Sequence, residues 1–539
     1  MEQKRKHSSN LAVQGAILAF AGIIVRFIGL AYRIPLINII GETGIGCYSK
    51  AFDIYSFTLV ISSYGLPAAV SKLVSARIAK KKYKEAHQIF ISALCIAVVI
   101  GLISSSIMFF GSNLLAKMVY SEKSAHAIRA LSPTLLIFSI MGVFRGYFQG
   151  MNTMVPTAIS QIIEQIFNAI FSIVLAGMLM VKGYEWGAAG GTHGTWIGAL
   201  AGLLTLIGIY LMSRKVFRKR VLRDKYSNEN TSCFSFSKLV IMTSLPIVIG
   251  SATFHFTNLV DMVMFNDALR FHSYTEEMAD TLYGILNGKY KIIITIPISI
   301  ASAFSIATMP SITTSLVLKD KKQIYKKINM AIRFTMFIAI PSCVGIFVLS
   351  KPIIKLLFMN KNLDVTSMIL RIGSISVVFF ALSTITIGIL QGMDKLRVPV
   401  INAVKSLLIK VVFNVILLYV FNTNLYGAVI TNIIFAFCSA FFNIRSIKKY
   451  INIRFDIKKT YVIPTLSALI MGLSCYGVYS LLEVIAVGNA ISTIISILAG
   501  ICIYIIVLVK LKGVEKEEMY SMPKGDKIVS LLMKIRLIQ

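Results

Sequence analysis

The sequence predicts an all-α polytopic membrane protein of 14 transmembrane helices, arranged as two parallel six-helix lobes followed by two C-terminal helices. Three observations carry this. Of 539 residues, 56% are hydrophobic and only 14% charged, with a mean hydropathy of +0.77; a water-facing globular chain carries about 25% charged residues. Apolar runs of membrane-spanning length, about 20 residues, recur along the whole chain. Short motifs also return in the same order at a nearly fixed offset.

The first six spans are expected near 11–34, 47–70, 88–110, 127–149, 155–181 and 187–212. The next six lie near 239–264, 281–306, 329–349, 366–391, 398–421 and 425–444, and the last two near 460–482 and 486–509. The basic N-terminal stretch MEQKRKHSSN is not read as a cleaved signal, because no small-residue cleavage site closes the apolar run and Arg26 interrupts it. Of the 55 Lys and Arg, 37 fall in the tails and loops on the N-terminal side of these spans and 7 on the other side. The positive-inside rule then places both termini in the cytoplasm of a multi-pass cell-membrane protein. The same distribution accounts for the net charge of +32 as anchoring to an anionic leaflet, which excludes nucleic acid as a partner. The seven cysteines are scattered singly and, with no Cys/His cluster, point to packing and to no metal or other cofactor.

Self-comparison shows the repeat. The stretch around Pro67 and Tyr83 matches that around Pro310 and Tyr325, and FQGMNTMVP (148–156) matches LQGMDKLRVP (390–399). WGAA at Trp186 answers YGAV at Tyr426. The expected divisions are a first lobe, 1–212, a basic cytoplasmic loop, 213–238, and a second lobe, 239–446. Accessory helices, 447–509, and a cytoplasmic tail, 510–539, follow. Six spans per copy give both copies one orientation, a plan that suits transport by rocking of one lobe against the other.

Ionisable side chains at membrane depth usually face a wet cavity or the bundle interior. Arg26 lies about fifteen residues into the first span, and Arg33 lies two helical turns further on the same face. Lys289, Arg371, Lys405 and Lys410 add cations in later spans, against only Asp53, Glu164 and Asp261. A shared cavity of this composition would attract an anion, and guanidinium suits phosphate. Arg145, Lys291 and Arg333 lie nearer span ends and read as headgroup anchors. In the fifth span Gln161, Glu164, Gln165 and Asn168 form one polar stripe at helical spacing. Gln161 is a candidate substrate contact, and Glu164, Asp53 and Asp261 are either ion-pair partners or carriers of a coupling proton or sodium ion. The small-residue run GAAGGTHGTWIGALAG (187–202) reads as a close-packing face. No catalytic motif is found, so the chain is not read as an enzyme.

RFIGLAYRIPLINIIGETGIGCY (26–48), YGLPAAVSKLVS (64–75) and RGYFQG with VPTAISQIIEQ (145–165) carry a resemblance. In these the chain resembles the polysaccharide-exporter branch of the multidrug/oligosaccharidyl-lipid/polysaccharide (MOP) flippase superfamily. Within it, the chain resembles the stage V sporulation protein B and MurJ-type lipid II flippases. The resemblance implies two six-helix lobes around a cationic cavity and a lateral lipid groove at the C-terminal helices. It implies an undecaprenyl-diphosphate-linked sugar as substrate, moved outward by alternating access, with functions in peptidoglycan, polysaccharide or sporulation-linked wall synthesis. Arg26 and Arg33 correspond to the first-span arginines of those flippases, although the spacing of seven departs from theirs. Lys50 is the nearest counterpart of their second-span basic residue. Transport would be driven by membrane potential, H+ or Na+. Membrane lipids are expected partners, with cell-wall synthases as further candidates. Two other readings remain open at this point: a cation-coupled multidrug exporter, which calls for an acid-rich cavity, and a non-transporting partner of cell-wall synthases.

Overall fold

The computed structural model describes residues 2–222, 224, 227, 233–317, 320–358, 362–451 and 456–514; the expected tail at 510–539 lies mostly outside them. All described elements are helices or turns, with no strand among the described residues. By contact the chain divides into two compact units, Met1–Gly288 and Lys289–Gln539.

In the first unit, α1 (Glu2–Leu59) is a continuous helical run only by hydrogen bonding, because Gly41 interrupts it at φ 70°. That left-handed conformation is open to glycine at little cost. Fifty-eight residues would extend about 87 Å if straight, yet the Tyr32 and Tyr48 hydroxyls stand 3.3 Å apart and Arg33 lies 5.9 Å from the Phe52 ring centroid, so the chain folds back on itself at the Gly41 break. A π-helical turn (Val60–Tyr64) leads into α2 (Gly65–Ala79), and α3 (Tyr83–Phe110) and the short α4 (Ser112–Met118) follow. Then come α5 (Ala125–Gly150), α6 (Val155–Leu179) and α7 (Tyr184–Leu222). Pro156 stands in the first turn of α6, where the missing N–H costs nothing. α8 (Cys233–Phe271) and α9 (Glu276–Gly284) complete the unit, α9 being capped by Thr275 Oγ1, which accepts from the Met278 N–H.

The small-residue run packs as expected. A Cβ at Gly190, Gly194 or Gly198 would stand 2.2–2.5 Å from Leu175 O, Ser172 Oγ or Glu164 O respectively, so α7 meets α6 backbone to backbone. On the far side of α5, Phe90, Phe144, Tyr147 and Tyr210 form an aromatic core with ring centroids from 4.3 to 6.3 Å apart.

The second unit contains α10 (Lys291–Val317), α11 (Lys321–Val348), α12 (Ser350–Leu357), α13 (Leu363–Gly373) and α14 (Ser376–Gly392). They are followed by α15 (Arg397–Asn414) and α16 (Asn424–Ile451), and last come α17 (Ile463–Val484) and α18 (Asn489–Lys510). α17 and α18 pack on one another, with α17 also against α11, where Gly472 faces Val344. The repeated QGM motifs build the same turn in each unit. Asn152 and Asp394 both take positive φ, 61° and 59°, and donate their N–H to the carbonyls of Gln149 and Gln391.

Among the described residues, ten helices are long and apolar enough to cross a membrane, or eleven when α13 and α14, bent by 45°, count as one crossing. One of the ten is the segment Phe20–Ala79, which contains the Gly41 break.

Candidate functional site

In the first unit the stripe on α6 resolves into distinct roles. Arg145 Nη2 donates to Glu164 Oε2 at 2.6 Å, and Arg145 Nε donates to Ser160 Oγ at 3.2 Å. The two charged side chains are 12% and 17% exposed. Arg145 is therefore no headgroup anchor: the α5–α6 hairpin sets it opposite Ser160, and its length carries the guanidinium one turn deeper to Glu164. Glu164 is braced by Arg145 and not by Arg26. Asn168 is buried and accepts from Ser172 Oγ at 3.0 Å, a contact within the α6 face that meets α7. Gln161 and Gln165 are half-buried, and Gln165 Nε2 lies against Gly29 of α1.

Arg26 is exposed, and among the described residues it forms neither an ion pair nor a hydrogen bond. Arg33 is half-buried, with its guanidinium 5.9 Å from the Phe52 ring centroid and within electrostatic reach of Asp53. Two tyrosines back it, Tyr32 and Tyr48, whose hydroxyls stand 3.3 Å apart. Asp53 accepts the hydroxyl proton of Tyr283 at 2.5 Å, and Asp261 on α8 lies within electrostatic reach of the same tyrosine. The first-span arginines thus part company: Arg33 belongs to a polar group shared by α1, α8 and α9, whereas Arg26 stands free of it.

A buried ion pair lies nearby, and its acid escaped the sequence reading. Lys50 Nζ sits 2.7 Å from Asp280 Oδ1, the side chains being 0% and 2% exposed. Lys50 also donates to Tyr120 O at 3.1 Å, while Asp280 Oδ2 accepts from Ser121 Oγ at 2.9 Å and from Cys47 Sγ at 3.3 Å. The pair ties the second half of α1 to α9 and to the turn before α5. Asp280 falls one residue before the expected eighth span, so nothing in its sequence position signalled burial.

In the second unit, Lys410 is buried and donates to Asn432 Oδ1 at 2.7 Å, with the Phe435 ring centroid 5.4 Å away. Asn402 Nδ2 donates to Asn443 Oδ1 at 2.9 Å, so this face of α15 bonds to α16. Lys405, on the same helix, is exposed with no partner among the described residues. Arg371 is exposed at the end of α13, with Phe347 5.7 Å away, and Lys289 is buried with its Nζ 5.8 Å from the Phe358 ring centroid. Arg333 is buried, which overturns its reading as a headgroup anchor. No group of three metal-ligating side chains occurs among the described residues.

Comparison with known proteins gives consistent matches. A family model described as "Polysaccharide biosynthesis protein" matches residues 12–316, and one described as "Lipid II flippase MurJ" matches residues 290–498. Lipid II flippase MurJ of Bacillus subtilis is 28% identical over 484 residues, which is 87% of this chain and 88% of that protein. Stage V sporulation protein B of the same bacterium is 25% identical over 348 residues, 64% of this chain and 65% of that protein. A solved structure of lipid II flippase MurJ in an inward closed conformation matches with a TM-score of 0.68 at 19% identity, covering 91% of this chain and 98% of its own. An inward-facing multidrug resistance MATE family transporter of the MOP superfamily matches with a TM-score of 0.67 at 16% identity, covering 81% and 96%. These structural likenesses establish a polytopic membrane fold of this type.

Proposed function

This chain belongs to the polysaccharide biosynthesis protein family, within the MOP flippase superfamily, and from that premise we propose that it is a flippase for a lipid-linked cell-wall precursor. The substrate we assign is an undecaprenyl-diphosphate-linked sugar, lipid II first, carried from the inner to the outer leaflet by alternating access. The observation that carries this reading is the alignment with a lipid II flippase along 88% of that protein's length. Fourteen crossings form part of the proposal: the ten counted helices, the bent pair, the division at Gly41, and α8 and α10, which have the length of a crossing. The two lobes, 1–212 and 239–446, would rock against each other, with both termini in the cytoplasm.

The exposed cations fit an anionic headgroup. Arg26, Lys405 and Arg371 have no carboxylate partner among the described residues, so a diphosphate would find their charge uncompensated. Arg26 is the residue we assign first, because it is exposed without a carboxylate partner among the described residues and lies three residues before Gly29, against which Gln165 of the α6 stripe packs. A charge-assisted hydrogen bond contributes about 1.5–3 kcal/mol, so Arg26→Ala is expected to slow lipid II flipping about 10- to 100-fold in proteoliposomes. Unchanged flipping by the variant would remove Arg26 from the site, and no flipping by the wild type would remove lipid II.

The multidrug-exporter reading is kept because a MATE transporter matches with nearly the same TM-score as a MurJ structure, 0.67 against 0.68. Its discriminating outcome is cation-dependent dye efflux from the same proteoliposomes in the absence of flipping.

A further inference from the structure

The end of the first unit where α1 reverses holds a polar cavity that the proposed transport does not use. Gly44 approaches Tyr184 O there, and α3 stops at Phe110. The short α4 then packs against α3 and α5, and the chain turns through Tyr120, φ 49°, toward α5. Between α4 and the first turn of α5 lies a cavity of about 330 Å³ lined by Asn113, Lys117, Glu122, Ala125, His126 and Arg129. That volume falls at the lower end of the range for small-ligand pockets.

The lining is rich in donors whose charge is poorly answered. Arg129 donates from Nε and Nη2 to Ser112 Oγ at 3.3 and 3.1 Å, and its guanidinium lies 5.5 Å from the Phe109 ring centroid. Neither partner is charged, and among the described residues no carboxylate pairs with Arg129. Lys117 reaches Glu122 only at 3.7 Å, with the two side chains 67% and 62% exposed, a pair that contributes little. Lys117 and Arg129 against Glu122 leave one positive charge.

The rim is apolar. Phe110, Leu114 and Met118 are exposed, the last two each following a lining residue, Asn113 and Lys117, in the chain. His126 packs against Trp186 with ring centroids 4.4 Å apart and tilted by 33°, and Lys182 lies over the same indole at 5.8 Å. Tryptophan and lysine together at helix ends mark the membrane–water interface. The cavity therefore sits at headgroup level, with acyl-chain surface next to it.

We propose that this cavity binds the phosphodiester of an anionic phospholipid headgroup, in the leaflet opposite the N-terminus. Arg129 supplies a planar fork for two phosphate oxygens and Lys117 a point charge. The acyl chains lie along Phe110, Leu114 and Met118. Glu122 sets the selectivity, admitting one net negative charge. The lipid here is a bound neighbour and not the transported substrate, so the site stands whichever superfamily activity the chain has.

The chain has two tryptophans, Trp186 and Trp196, so full-length protein carrying Trp196→Phe reports on Trp186 alone. In nanodiscs, doxyl-labelled phosphatidylglycerol is expected to quench Trp186 several-fold more than doxyl-labelled phosphatidylcholine. Lys117→Gln, and Lys117→Gln with Arg129→Gln, should reduce that excess, whereas Glu122→Gln should raise it. A rise on removing the acid is not produced by simple damage to the fold. Equal quenching by both lipids, or indifference to all three variants, overturns the proposal. Displacement of the labelled lipid by equimolar inorganic phosphate overturns it as well, because the site would then be one for free phosphate.

Discussion

Lys50 shows how much depends on a single buried amine. Its ion pair with Asp280 is fully enclosed, so removing one partner strands the other charge, at a cost of about 3–5 kcal/mol. Lys50→Met should therefore lower the thermal midpoint of the purified protein by many degrees. Adding Asp280→Leu should recover most of the loss, since an apolar pair of similar volume can match a buried ion pair. If the double variant is no more stable than the single, the loss comes from the Tyr120 contact and not from the stranded carboxylate. Glu164 behaves differently. Glu164→Gln leaves an acceptor for Arg145 but removes the charge, so the protein should fold with a smaller loss, measured in the same melt. At this scale the sequence was legible in part. Glu164 stood out because an acid nine residues into an apolar helix must be answered, and hairpin register could have named Arg145 as the answer. Asp280 offered no such cue, since its partner lies 230 positions away and its burial depends on α9 folding back over α1.

The contact between α1 and α9 is set by two glycines. A Cβ at Gly46 would meet Asp280 O, and one at Gly284 would meet Glu42 O, each at 1.9 Å. Real side chains never approach backbone that closely, so Gly46→Ala must push the two elements apart and weaken the Lys50–Asp280 pair with them. We expect a clear drop in the yield of folded protein and in the melting temperature. Gly177→Ala in α6 is the control: nothing lies within 4 Å of a Cβ there, and alanine is favoured over glycine in a helix by about 0.5–1 kcal/mol. Equal melts for the two variants would show that α9 yields without cost. The sequence revealed the α6–α7 glycine face because its small residues cluster in one run. The α1–α9 face escaped notice because its two glycines are 238 positions apart and each looks ordinary alone. The repeated QGM turn was legible for the opposite reason, being purely local: a residue tolerant of positive φ follows the same three residues twice.

For the whole molecule, hydropathy specified the class of fold, whereas charge predicts a direction across the membrane that helix packing cannot supply. The count of crossings was blurred where helices join without a loop, as at Gly41, where one helical run folds back on itself. Direction rests on the split of 37 Lys and Arg on one side against 7 on the other. Each basic residue near an anionic leaflet is worth about 1 kcal/mol, so the excess far outweighs any contribution from a single loop. The turn at Lys80–Lys82, between α2 and α3, should therefore face the cytoplasm, and Lys123, before α5, the outside. In a cysteine-free background, Lys123→Cys should react with a membrane-impermeant maleimide in intact cells, and Lys82→Cys only after permeabilisation. The reverse pattern would place the N-terminus outside, and the headgroup of any flipped lipid would then travel inward. Labelling of both sites in intact cells would mean that the chain inserts in two orientations, which a bias of this size should prevent.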